Sequence, residues 1–293
     1  MISILFRIII LLAIAIFPPV ATDAGSGKEK PKKLDSAMFL APADGLFSID
    51  AGTLEARFSL DYSLEDYLRP ETSFSSLFFF LRTYNESISY VKDEAYFHIV
   101  AIQDKGIHRF SCVDNLYYRE IKTDPGVRHN EACIVFDKEN GLWISSGEWH
   151  SLAVTWKIEK EALRVEMYLD DKLRNTVTFP IKAGDVRPFS KGDIISIGNL
   201  DLSPATILSY RLSNRVRTRE EIASALPLKP DKDTTFYLDA DTAIKFKVYG
   251  REKFEKMRKS GKIDIGKGIF VGEYKIVSTP EGKAIQFYNK LSR

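Results

Sequence analysis

From Ala37 to about Leu212, short segments alternate apolar and polar residues with a period of two, and Gly, Pro, Asn and Asp separate them. Between Gly52 and Asp61, Leu54, Ala56, Phe58 and Leu60 take one face, while Glu55, Arg57, Ser59 and Asp61 take the other. That spacing predicts a half-buried antiparallel strand. Within Ser75–Thr83 the run Leu77–Leu81 is continuously apolar, as expected of a strand covered on both faces.

Between Gly147 and Val177 two strands follow one another. His150, Leu152, Val154 and Trp156 share a face of the first, and Leu163, Val165, Met167 and Leu169 share a face of the second. The chain then turns at Asp170–Lys172, where aspartate tolerates the left-handed backbone that tight hairpins need. Strand-length pieces recur at Thr176–Ile181, Gly192–Asn199 and Ala205–Asn214. The first clear helix is late: Thr218 and Glu221 have capping-box spacing, Ile222, Ala223 and Leu226 supply an apolar face, and Pro227 stops it. Many short strands and one brief helix predict an all-β fold, a two-sheet antiparallel jelly-roll sandwich over residues 37–226.

The ends differ in character. Met1–Ala24 has one Arg near its start, an apolar run from Ile8 to Phe17, a Pro-Pro break, and small residues at Ala21 and Ala24. It reads as a secretory signal peptide, too short for a comfortable transmembrane span of about 20 residues, with an uncleaved anchor as the alternative. A cleaved signal makes the protein secreted, periplasmic or cell-surface and not integral to the membrane. Gly25–Ser36 is polar and Lys-rich, a flexible leader.

Residues 227–293 form a small basic β-rich extension with a short helix at Arg251–Lys262. They hold fifteen Lys and Arg against nine Asp and Glu, in a chain whose net charge is only +2. A charge that small gives no reason to expect nucleic acid. The basic end suits a polyanion or an anionic membrane surface, or is simply a solvated face.

In an oxidising compartment Cys112 and Cys133 are expected to pair as a disulfide. Zinc ligation with His108 and His129 is the alternative, although the spacing matches no standard zinc pattern. Asn85 opens an Asn-Glu-Ser sequon, which matters only in a glycosylating host.

The series Gly147, Trp149-His150, Leu152–Trp156, then Met167–Leu173, Ile195–Gly198, Ala205–Leu212 and the capped helix at Thr218–Ile222 resembles the laminin-G-like family of concanavalin A-like lectin and glucanase jelly rolls. The resemblance covers roughly Ala37–Leu226, with one departure: Asp171 stands where the family's hairpin usually has Gly. It implies that Trp149, His150 and Trp156 are mainly framework.

The resemblance also implies a non-catalytic binding module for a glycan or an extracellular protein. Some members bind calcium at the sandwich rim, and the acidic pairs here are Asp170 with Asp171 and Asp239 with Asp241. Turn chemistry explains the first pair without an ion, and no other cofactor is expected. Tyr90, Tyr117 and Tyr118 are the aromatic candidates for ligand contact, since adjacent strand tyrosines cannot both point inward.

Two rivals remain. Glycoside hydrolases also use concanavalin-type sandwiches, but retaining hydrolysis needs two carboxylates about 5–5.5 Å apart. The adjacent acids Glu65-Asp66 and Asp93-Glu94 would point to opposite faces, and Glu159 and Glu161 sit at a turn. No enzyme activity is therefore expected. The other rival is a structural subunit of an envelope or extracellular assembly, which predicts an exposed hydrophobic patch.

Overall fold

The computed structural model describes residues 37–60, 73–83, 95–104, 107–114, 131–137, 141–180, 193–198, 205–260 and 264–287. The strands are β1 (Met38–Pro42), β2 (Ala51–Leu60), β3 (Ser73–Thr83), β4 (Ala95–Asp104), β5 (Ile107–Asp114), β6 (Glu131–Phe136), β7 (Trp149–Glu159) and β8 (Ala162–Leu169). They continue with β9 (Lys172–Pro180), β10 (Asp193–Gly198) and β11 (Ala205–Ser213), helix α1 (Arg219–Ala223), β12 (Thr234–Asp239) and helix α2 (Ala240–Ala243). The chain closes with β13 (Lys247–Tyr249), α3 (Arg251–Lys259), β14 (Ile269–Val271), β15 (Lys275–Thr279) and β16 (Gly282–Gln286).

The strands form two sheets. The first runs β13-β14-β1-β10-β3-β4-β5-β6; the second runs β15-β16-β11-β2-β7-β8-β9, with β12 pairing farther along β11. All pairings are antiparallel except β13 with β14. The chain passes repeatedly from one sheet to the other, which makes a two-sheet jelly-roll sandwich.

Period-two alternation explains the core. Leu54, Ala56 and Phe58 of β2, Val154 and Trp156 of β7, and Val165 and Met167 of β8 face Phe39 of β1, Ile195 of β10 and Phe110 of β5 in one buried cluster. Each large side chain so buried contributes about 1.5–3 kcal/mol. At one edge the sheets meet where Asn175 Nδ2 of β9 donates to the Cys133 carbonyl of β6 at 2.6 Å.

The C-terminal residues belong to both sheets. β14 pairs with β1, β16 pairs with β11, and the Ala37 N–H donates to the Phe287 carbonyl. Helix α3 lays Phe254 on the outer face of the first sheet, against Met38, Leu40, Ile194, Ile269 and Val271.

The expected disulfide is corrected. Register pairs Cys112 with Ala132 and Cys133 with Ser111, so the two cysteines lie on adjacent strands one step apart. Paired residues share a face and successive residues alternate, so the two thiols leave opposite faces of the sheet. Cys112 points into the core with Phe110 and Ile134; the two sulfurs are not joined.

A second correction concerns β2, whose polar face is not in water. Glu55 is 3% exposed and Ser59 4%, and Arg211 of the neighbouring β11 and Arg217 beyond it, where the chain leads into α1, lie against Glu55.

Candidate functional site

The β8–β9 hairpin is a two-residue loop: Leu169 pairs with Lys172, leaving Asp170 and Asp171 at the turn. Both adopt positive φ, 51° and 62°, the mirror-image turn that matches the twist of paired strands. The sequence-based expectation of left-handed aspartates at this position holds.

The two carboxylates do different work. Asp170 Oδ2 lies 2.9 Å from His150 Nδ1, and its Oδ1 accepts from the Ser151 N–H at 3.0 Å. Burial alone would raise its pKa, but the bonds from His150 and Ser151 outweigh that and hold the carboxyl below its ordinary value. The His150 ring is nearly buried against Phe58, its Nε2 makes no hydrogen bond, and Glu148 stands 3.8 Å away. His150 and Trp156 are framework side chains: Trp156 Nε1 donates to the Ser48 carbonyl at 2.8 Å within the core.

Asp171 is unspent. Its Oδ1 is buried without a hydrogen-bond partner. Desolvation, followed by repulsion from Asp170, pushes its pKa up. Asp171 lines a shallow depression on the outer face of the second sheet. Glu55, Ser151, Tyr168, Ile222 and Leu226 line it with Asp171.

Local structure explains each wall. Helix α1 is fixed by the capping box foreseen in sequence: Glu221 N–H donates to Thr218 Oγ1, and Thr218 N–H donates to Glu221 Oε2. The helix docks by seating Ile222 on Ala153 and Tyr168. Leu226, just past the helix, stays 40% exposed at the pocket mouth. Tyr168 Oη donates to Glu166 at 2.6 Å, and burial plus that bond push its pKa well above the usual tyrosine range.

Charge beneath the pocket is balanced. Glu55 takes Arg211 through both carboxylate oxygens at 2.7 Å, and Arg217 Nε lies 3.2 Å away. Asp231 answers Arg217 at 2.8 Å, and that guanidinium holds its carboxyl far below the ordinary range. Beside the pocket, Arg57 Nη1 donates to Ser151 Oγ and the Trp149 carbonyl, while its other nitrogens bind Glu281.

The remaining sequence candidates lie elsewhere. Asp239 is the N-cap of α2, accepting from the Thr242 N–H and hydroxyl at 2.8 Å, and Asp241 is exposed in the first turn. Strands β2 and β7 separate that helix from the Asp170–Asp171 turn, so the two acidic pairs are not brought together. Among the described residues, no three His, Cys, Asp or Glu side chains cluster so as to hold a metal. Tyr90, Tyr117 and Tyr118 lie outside the described residues. Sequence reasoning missed Ser151 and Tyr168, which alternation alone marks as outward-facing on β7 and β8.

No protein-family model matches the chain, and no curated protein matches it. Among solved structures it is similar to the native heptameric SAP-like pentraxin from Limulus polyphemus, at 9% identity and a TM-score of 0.39, covering 67% of this chain and 77% of that one. It is also similar to a legume lectin-like domain from Entamoeba histolytica, at 13% identity and 0.32, covering 58% and 75%. An alginate lyase from Klebsiella pneumoniae gives 11% and 0.35 over 57% of this chain, which spans 61% of the lyase. Likenesses this weak carry no argument about function.

Proposed function

We propose that this chain is a laminin-G-like, non-catalytic binding module of a secreted, periplasmic or cell-surface protein, and that it takes one sugar residue of a glycan in the pocket under α1. Asp171 carries the reading. It holds a left-handed backbone at φ 62°, where the family it resembles usually has glycine, and it buries a carboxylate oxygen with no donor. Both features cost stability, and a polar group kept at such a cost marks a site.

A sugar supplies what the site lacks. A sugar offers hydroxyl donors to the Asp171 carboxylate and to Ser151, and the apolar face of its ring to Leu226 and Ile222.

The test is an array of oligosaccharides probed with the full chain and with Asp171→Asn, each with calcium and with chelator. Saturable binding to one sugar class, lost in Asp171→Asn, is the expected result. Binding unaffected by Asp171→Asn removes the pocket from the reading, and no saturable binding to any sugar removes the glycan. Loss on chelation adds an ion at the aspartate turn.

A further inference from the structure

The two sheets end on the same side, in β13 and β15, opposite the edge where β6 meets β9. Helix α2 and two aromatic side chains close the gap between them. Phe246 packs edge-on against Phe39 at 4.8 Å, and Tyr274 lies 4.1 Å from the Phe270 ring and donates its hydroxyl to the Ala243 carbonyl. Outside this plug the side chains turn to solvent. Ile244 is 67% exposed, Val248 50% and Ile276 38%. These are three of the six large exposed hydrophobic residues among those described, gathered at one edge.

Lysines separate them. Lys245 and Lys247 stand between Ile244 and Val248, Lys275 precedes Ile276, and all three are exposed. Helix α3 follows with exposed Lys253, Lys256 and Lys259, the first lying over the Tyr249 ring. The acids of these segments are Asp241, Glu252, Glu255 and Glu273. The edge is therefore both apolar at isolated points and basic overall.

We infer that this edge, from Ile244 to Lys259 with Lys275–Ile276, seats on an anionic lipid surface, the aliphatic side chains entering the headgroup layer and the lysines meeting its charge. Three separated aliphatic side chains fall far short of the roughly 1,200 Å² that a stable protein interface buries. They are what interfacial anchoring uses, together with flanking lysines that reach the headgroups. A polar protein surface would gain little from Ile244 and Val248.

An N-terminal segment retained as an anchor would itself hold the full chain on vesicles, so association alone does not report on this edge. The experiment therefore places tryptophan reporters in the full chain: Ile244→Trp at this edge and Leu173→Trp on β9, at the opposite edge. Each is mixed with vesicles of brominated phosphatidylglycerol or brominated phosphatidylcholine. Excess quenching over the parent chain at position 244 alone, with phosphatidylglycerol and weakened at high salt, is the expected result. Adding Lys245→Glu and Lys247→Glu to Ile244→Trp lowers the vesicle affinity read at that reporter about tenfold or more. Equal quenching at both positions, none at 244, or a concentration-dependent blue shift at 244 without lipid overturns the inference, the last in favour of a second copy of the chain.

Discussion

The indole of Trp156 lies across Gly52, its partner in register on β2, so closely that a Cβ at position 52 would fall 2.6 Å from Cε2 and 2.7 Å from Cη2 of the ring. The ring cannot retreat. It stacks on Phe47 with centroids 5.2 Å apart and donates Nε1 to Ser48. Gly52→Ala is expected to cost about 1–3 kcal/mol by overpacking, read as a lower urea midpoint at unchanged slope. Trp156→Phe in the same background should return part of that loss, because the smaller ring frees the contact. Additive losses in the double variant would show that the strain lies elsewhere.

Much of this core was legible as pattern. Alternation over Leu54–Leu60, His150–Trp156 and Leu163–Leu169 names the inward face of three strands, and all of these inward residues are buried. Thr218 with Glu221 announces α1, and the paired aspartates announce a tight hairpin. Local signals suffice where the deciding neighbours are a few residues away. They fail where register decides: Cys112 and Cys133 look like a pair until one step of β5 against β6 turns them to opposite faces. They fail again for Glu55, read as solvated, whose partner Arg211 is 156 residues on. The candidate pocket has the same difficulty, since its walls come from β2, β7, β8 and the segment after β11.

The Glu55–Arg211–Arg217–Asp231 group makes the second prediction. Two guanidiniums and two carboxylates balance there, with Glu55, Arg211 and Arg217 each 5% exposed or less. Glu55→Gln leaves an excess positive charge on two arginines that are almost wholly buried. The expected loss is about 3–5 kcal/mol, measured by urea unfolding near neutral pH. A loss under about 1 kcal/mol would mean that Asp231 alone neutralises both arginines.

Asp170 predicts a pH response. Its carboxyl is held below its unfolded value, so its ionised form favours the folded state. That contribution is fully present above the unfolded value of about 3.9 and fades as pH falls through the lower folded value. Asp170→Asn removes the titration. Unfolding curves for both proteins at pH 6 and pH 3 should show the parent losing more stability over that interval than the variant. Equal losses would show that the His150 bond contributes nothing to folding in this window.

Asp171 separates stability from recognition, and one substitution tests both. Glycine at this position removes the left-handed penalty and the buried donorless carboxylate oxygen together. Asp171→Gly is therefore expected to raise stability by about 1 kcal/mol, a gain of several degrees or less in Tm for a chain of this size. Asp170 keeps its bonds to His150 and Ser151 in that variant, so the hairpin itself is preserved. If the pocket takes a sugar through the Asp171 carboxylate, the stabilised protein binds none. A variant that is both more stable and still saturable by the same sugar would place recognition outside this pocket. A variant that is less stable would mean that Asp171 has a structural partner in solution, and the argument from its cost would fall with it.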